Sequence, residues 1–137
     1  MLADVLTHKH GFPRLPLMEL AIARYADDLS LLHPDTLLIE DPDHARLDLS
    51  GRTALVIDDV LYQGYSLLRA VEYLTRKRPA QVRTAVLVDR GAARLPVRAD
   101  VTGIRLEVAP GDIIECNVPP YEDALQINLL QPGSARG

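Results

Sequence analysis

The sequence contains no tryptophan, one phenylalanine and five tyrosines among 137 residues. A core without large rings must be packed from Leu, Val, Ile and Ala. Cysteine occurs once, at Cys116. That excludes an internal disulfide and suits a reducing compartment, so a cytoplasmic location is expected. Lysine is confined to Lys9 and Lys77, and the net charge is -4. No global positive field therefore marks a nucleic-acid binder, although a local basic patch stays open. No apolar run approaches the ~18 residues of a membrane span, and the first residues lack the profile of a secretory leader. Internal repeats and low-complexity segments are absent. The remaining composition is ordinary for a globular protein, with 47% hydrophobic and 25% charged residues. One domain over residues 1–130 is expected, with the QPGSARG stretch at 131–137 a disordered tail.

Short apolar runs recur along the chain. Residues 15–25 (LPLMELAIARY) and 36–40 (TLLIE) read as strands, and 40–46 (EDPDHAR) as a loop. Residues 53–57 form a continuous apolar run of the kind buried on both faces of a parallel sheet. From Tyr65 the period changes to that of a helix, with Leu67, Val71 and Leu74 on one face. Arg76-Lys77-Arg78 closes that helix before Pro79, where cations complement the macrodipole. Residues 83–89 (RTAVLVD) follow as another apolar strand. Strand, helix and strand in this span make a βαβ unit with a right-handed crossover, hence an α/β fold with a mostly parallel sheet. Segments 99–104, 113–117 and 124–130 offer shorter strands that extend the sheet or form an edge hairpin.

The chemistry gathers at 54–66, ALVIDDVLYQGYS. In parallel α/β sheets, ligands bind outside the carboxyl ends of the strands, and Asp58 and Asp59 close the apolar run. The loop Tyr62-Gln63-Gly64-Tyr65-Ser66 then opens a helix, whose N-terminal N–H groups and dipole favour an anion. Gly64 permits positive φ or close backbone approach. Ser66 serves either as the helix N-cap or as a hydroxyl donor to a phosphate. Carboxylates suit sugar hydroxyls or a cation, and a sugar phosphate would satisfy both halves. Two aspartates after a strand also occur in metal sites and ordinary caps. His8, His10, His33 and His44 lack metal-ligand spacing and are assigned no role.

The pattern L-V-I-D-D-V-L-Y-x-G-x-S resembles the ribose-phosphate signature of the type I phosphoribosyltransferases. Within them, the chain is similar to the PyrR branch, pyrimidine-operon regulators that are also uracil phosphoribosyltransferases. Residues 25–29 (YADDL), 56–62 (VIDDVLY) and especially 85–100 (AVLVDRGAARLPVRAD) carry the similarity, in the right order from about residue 15 to residue 104.

The resemblance implies a Rossmann-like phosphoribosyltransferase fold, N-terminally short, with phosphoribosyl pyrophosphate as substrate together with Mg²⁺. Asp58 and Asp59 would hold the ribose hydroxyls, and Tyr62, Gln63, Gly64, Tyr65 and Ser66 would cradle the 5′-phosphate. Asp89 would lie near base and metal with Arg90 beside it. Tyr25, Asp27 and Asp28 would begin a mobile flap. Uracil or uridine nucleotides, pyrimidine-operon leader RNA and a second copy of the chain, as a homodimer or higher oligomer, are the implied partners. Arg90, Arg94 and Arg98 form a local basic set, for which pairing with Asp89 and Asp100 is the expected role and phosphate or RNA the alternative.

Three departures shape these expectations. The phosphate loop of the family usually reads T-G-R-T, whereas residues 63–66 are Gln-Gly-Tyr-Ser; one charged donor is lost and weaker phosphate binding follows. A helix, a strand and a K-T-R-G-like pyrophosphate loop precede the matched segment in the family. Residues 1–6 resemble the helix after that loop, so a displaced start codon or a truncated paralogue is expected, with an exposed sheet edge. Residues 104–117 (IRLEVAPGDIIECN) are acidic and apolar where the family carries polar and basic residues linked to RNA, which weakens the RNA expectation. The alternatives to an active transferase are a nucleotide-sensing or RNA-binding regulator with impaired catalysis, and a silent oligomerising paralogue.

Overall fold

A computed structural model describes residues 2–13, 15–23, 37–39, 42–109, 111–117, 119 and 123–131. The elements in chain order are helix α1 (Leu2–His10), strands β1 (Ala21–Ala23) and β2 (Leu37–Ile39), a 3-10 turn (Pro42–His44), β3 (Thr53–Leu61), α2 (Tyr65–Thr75), β4 (Gln81–Asp89), β5 (Val101–Arg105), β6 (Ile113–Asn117) and β7 (Gln126–Leu130). They fall into two compact units, residues 19–107 and residues 1–18 with 108–137.

The larger unit holds a parallel sheet in the order β3-β4-β5. The chain from β3 through α2 to β4 is the βαβ unit read from the sequence, and β5 extends the sheet, giving an α/β fold. Helix α2 packs on β3 and β4. Its buried residues are Leu67, Ala70, Tyr73 and Leu74, a stripe turned slightly from the expected Leu67, Val71 and Leu74, with Val71 half-buried. Beneath it lie Val56, Val86 and Val88, the last with no exposed surface, while Leu61 is buried at the end of β3. Burying each such aliphatic side chain contributes about 1.5–3 kcal/mol.

β3 departs from expectation in two ways. It is not buried on both faces, because α2 covers one face while Leu55 and Ile57 on the other are 48% and 53% exposed. It also runs on to Leu61 instead of ending before the aspartates, since the ladder continues through Val60↔Val88 and Leu61↔Asp89. The long strand expected over 15–25 is only β1, which pairs antiparallel with β2. Pro16 supplies no ladder N–H, and residues 15–20 carry no regular structure.

The basic triplet after α2 does close the helix, with Lys77 N–H donating to Leu74 O at 3.0 Å. Its charges go elsewhere. Lys77 is buried at 7% exposure. Its ammonium donates to His44 O at 2.6 Å and Ala45 O at 3.4 Å, and lies 4.8 Å from the centre of the Tyr73 ring. Arg78 pairs with Asp48 at 3.1 Å, and the Ser50 hydroxyl and N–H, with Arg78 adding to them, hold the Asp48 carboxyl below its ordinary pKa. Lys77 and Arg78 therefore staple the end of α2 to residues 44–48. Lys77→Met keeps the stem but leaves those carbonyls without their charged donor. It is expected to lower stability by about 2 kcal/mol, read from the urea midpoint.

The smaller unit contains α1 and an antiparallel hairpin of β6 and β7, paired from Ile113↔Leu130 to Asn117↔Gln126. The hairpin is the second of the two arrangements left open for these segments. Asp112, buried at its entry, accepts the Ala109 N–H at 3.1 Å. In α1, the His8 ring lies 2.8 Å from Asp4 O. The expected tail at 131–137 lies, apart from Gln131, outside the described residues. No helix among the described residues is long and apolar enough to cross a membrane.

Candidate functional site

The carboxyl edge of the parallel sheet is set by register, with Leu61, Asp89 and Arg105 side by side at the ends of β3, β4 and β5. Two loops leave this edge together, and backbone hydrogen bonds join them. Arg90 N–H donates to Leu61 O at 3.1 Å, and Arg94 N–H donates to Gln63 O at 2.9 Å. The Arg90 guanidinium stacks on Tyr62, 4.4 Å from the ring centre. At 9% exposure Arg90 is buried, so this contact forms where water does not screen it.

Gly64 caps α2 in the left-handed conformation, φ 100°, with no side-chain cap bond. Leu68 N–H reaches back to Gly64 O at 2.9 Å and closes the first turn. Ser66 is therefore not the N-cap; it is the second residue of the helix and half-buried. A Cβ on Gly64 would lie 3.6 Å from the Val97 Cβ and 3.8 Å from that of Leu95. The loop after β4 thus leans its apolar residues Leu95 and Val97 against the start of α2.

Asp58 and Asp59 lie within β3, upstream of its end at Leu61. Successive strand residues point to opposite faces, so the two carboxylates diverge. Asp58 is half-buried, alternating with Val56 on the face that α2 covers, and Asp59 is exposed on the other. Asp58 Oδ1 accepts Asp59 N–H and Asp59 Oδ1 accepts Val60 N–H, each at 2.8 Å. Asp89 ends β4, and its Oδ1 accepts Gly91 N–H at 2.8 Å. Tyr25, Asp27 and Asp28 lie outside the described residues.

Of the expected pairing of the arginine set with Asp89 and Asp100, the described residues show only the charge of Arg98 acting on Asp100. Asp100 accepts Thr84 N–H at 2.8 Å and lies 3.5 Å from Arg83. The Thr84 backbone N–H is the main reason its carboxyl sits below the ordinary value, with Arg83 and Arg98 adding to it. Arg90 stacks on Tyr62, Arg98 O accepts the Thr84 hydroxyl at 3.2 Å, and Arg94 is tied through its backbone to Gln63. Three participants were not singled out from the sequence. Leu95 and Val97 pack on Gly64, and Arg105 reaches the carboxyl edge, its Nη2 3.3 Å from where a Gly91 Cβ would be. The signal for the first pair was present as apolar residues alternating with arginine inside a loop. Arg105 is placed only by strand register. Among the described residues, no group of three or more His, Cys, Asp or Glu could hold a metal.

Comparison with known proteins fits this arrangement. The sequence pattern of the family described as phosphoribosyl transferase domain matches residues 1–124. The chain belongs to the phosphoribosyltransferase domain family. A protein of Streptococcus thermophilus named bifunctional protein PyrR is 32% identical over 119 residues, which cover 86% of this chain and 65% of that one. A Roseiflexus protein of the same name is 43% identical over 94 residues, 66% of this chain and 49% of that one. The chain thus spans less than two thirds of the length of these relatives. A Trypanosoma cruzi hypoxanthine phosphoribosyltransferase of known structure superposes with a TM-score of 0.61 over 82% of this chain and 57% of that one, at 21% identity. That likeness speaks for the phosphoribosyltransferase fold alone.

Proposed function

We propose that the chain transfers a phosphoribosyl group from phosphoribosyl pyrophosphate to uracil, yielding UMP and pyrophosphate, as a PyrR-type phosphoribosyltransferase. The observation that carries the reading is the joined pair of loops at the carboxyl edge of the sheet. It brings the start of α2 to the same edge of the sheet as Asp89 at the end of β4. A sugar phosphate needs both donors and acceptors. Of the two aspartates, the exposed Asp59 is the one placed to accept from the ribose hydroxyls, because Asp58 points to the opposite face, which α2 covers. The first turn of α2, with Gln63 and Ser66, donates to the 5′-phosphate, and Gly64 lets the backbone approach it. Asp89 and Arg90 flank the base and the leaving group.

In the transfer, uracil N1 bonds to the anomeric carbon as the bond to the pyrophosphate oxygen breaks, and the N1 proton passes to solvent. The chain's share is positioning and stabilisation of the oxocarbenium-like charge. The donors at this edge are carboxylate oxygens, with neither sulfur nor imidazole among them, which fits Mg²⁺. An ion held by few protein ligands keeps waters and substrate phosphates, and Asp89 is the residue that would hold it. When bound, Mg²⁺ neutralises charge on the departing pyrophosphate.

Exposed Leu55, Ile57 and Val101 on the sheet support self-association as a dimer or higher oligomer, and the single Cys116 supports a cytoplasmic setting. Leader RNA belongs to a second, regulator reading; the relatives' name says that they are bifunctional without naming the second activity.

The test is uracil-dependent release of pyrophosphate by the full chain with Mg²⁺, alongside the thermal midpoint with and without UMP. Release that requires uracil, and a midpoint raised by UMP, are the expected results. A raised midpoint without release would reduce the function to nucleotide sensing. Neither effect would reject the reading.

A further inference from the structure

We infer that Arg94, outside the phosphate loop in sequence, supplies the cation for the 5′-phosphate that the loop itself does not carry. The inference rests on the sugar-phosphate reading above. Residues 62–66 read Tyr-Gln-Gly-Tyr-Ser, without a cationic side chain. A phosphate monoester bears about -1.5 to -2 charge at neutral pH, whereas a helix N-terminus offers roughly half a unit of positive charge. More than one unit of charge is left for side chains to balance.

The cations near this loop differ in what they are already doing. The Arg90 guanidinium stacks on Tyr62. Arg69, one turn into α2, pairs with Glu72 at 3.1 Å. Arg76, Lys77 and Arg78 sit beyond the opposite end of the helix. Arg105 lies against Gly91 and Glu107. Arg94 differs from all of them. Its backbone N–H is bonded to Gln63 O at 2.9 Å, which anchors the residue on the phosphate loop. Its side chain is exposed, and among the described residues neither an ion pair nor a side-chain hydrogen bond holds its guanidinium. The carboxylates that could have claimed it are engaged elsewhere, Asp100 by Thr84 and Arg83 and Asp89 by the Gly91 N–H. A guanidinium on a flexible stem, anchored at its root, suits bidentate capture of phosphate oxygens. It also restores the charged donor missing from Gln63-Gly64-Tyr65-Ser66.

The experiment compares UMP with uridine, which lacks only the phosphate, by calorimetric titration of the full chain and of Arg94→Gln and Arg94→Lys. The Arg94 side-chain Nε–H resonance is followed in the same titrations. Arg94→Gln is expected to weaken UMP binding by about tenfold and to leave uridine binding unchanged. Arg94→Lys should recover part of the loss, and the Nε–H resonance should shift with UMP only. If the parent chain prefers UMP to uridine and Arg94→Gln keeps that preference, the inference fails while the sugar-phosphate reading stands. Equal losses for both ligands would make Arg94 structural and overturn it too. If Arg94→Gln weakens only a single-stranded RNA oligonucleotide, Arg94 is a nucleic-acid contact and the inference is again overturned. A parent chain that binds neither UMP nor phosphoribosyl pyrophosphate rejects both the inference and the reading beneath it.

Discussion

An Asp59→Asn chain is expected to release pyrophosphate about 100-fold more slowly than the parent while folding as well as it does. The size follows from one charge-assisted hydrogen bond to a ribose hydroxyl, worth about 1.5–3 kcal/mol, or roughly 10- to 150-fold in rate. Asparagine is nearly isosteric. Its Oδ1 can still accept the Val60 N–H that Asp59 accepts at 2.8 Å, so the local turn of hydrogen bonding survives. Asp59 is exposed, and a surface change of this kind alters stability by less than about 0.5 kcal/mol. The carboxylate is lost and little else. Pyrophosphate release over a range of phosphoribosyl pyrophosphate concentrations, with the urea midpoint of both chains, checks both halves. An unchanged rate in an active parent would remove Asp59 from the ribose.

The second large effect is on stability. Gly103→Ala is expected to cost about 2–4 kcal/mol, because an added Cβ would stand 2.6 Å from the Leu87 carbonyl oxygen. That oxygen belongs to the backbone of β4, the central strand, and cannot swing aside as a side-chain end could. Strands β4 and β5 pair on both sides of this point, at Val86↔Thr102 and Val88↔Ile104, so relief of the clash must part the ladder. Thr102→Ala beside it, at an exposed position, should cost under about 1 kcal/mol. Equal urea midpoints for the two variants would contradict the close approach. The damage should also reach the site, since Leu106 N–H donates to Asp89 O at 2.9 Å. A loosened β5 frees the residue that ends β4.

Much of the larger unit was legible because its signals are local. The apolar run at 53–57, the helical spacing after Tyr65 and the run ending at Asp89 each declare themselves within a few residues, and together they require a crossover. The left-handed glycine at the head of α2 was legible for the same reason. What misled was equally local. Two adjacent aspartates read as the end of a strand, since neither favours one. The ladder to Val86, Val88 and Asp89 carries the strand past them to Leu61, tertiary pairing overriding intrinsic preference. Pro16 had the opposite effect, breaking an apolar run into an irregular segment. The basic triplet after α2 read as a dipole complement, yet Lys77 is buried beneath a turn far upstream.

By itself, then, the amino-acid order determined which segments become strands and helices around the site. It also determined the chemical kind of the loop between β3 and α2, since periodicity and glycine chemistry act over a handful of residues. Only the tertiary structure decided that Asp58 and Asp59 face apart, that Arg90 lies on Tyr62, and that Arg94 is held at Gln63. Those arrangements depend on strand register and on hydrogen bonds between residues distant in the chain, and such pairings form only when the sheet brings their backbones together.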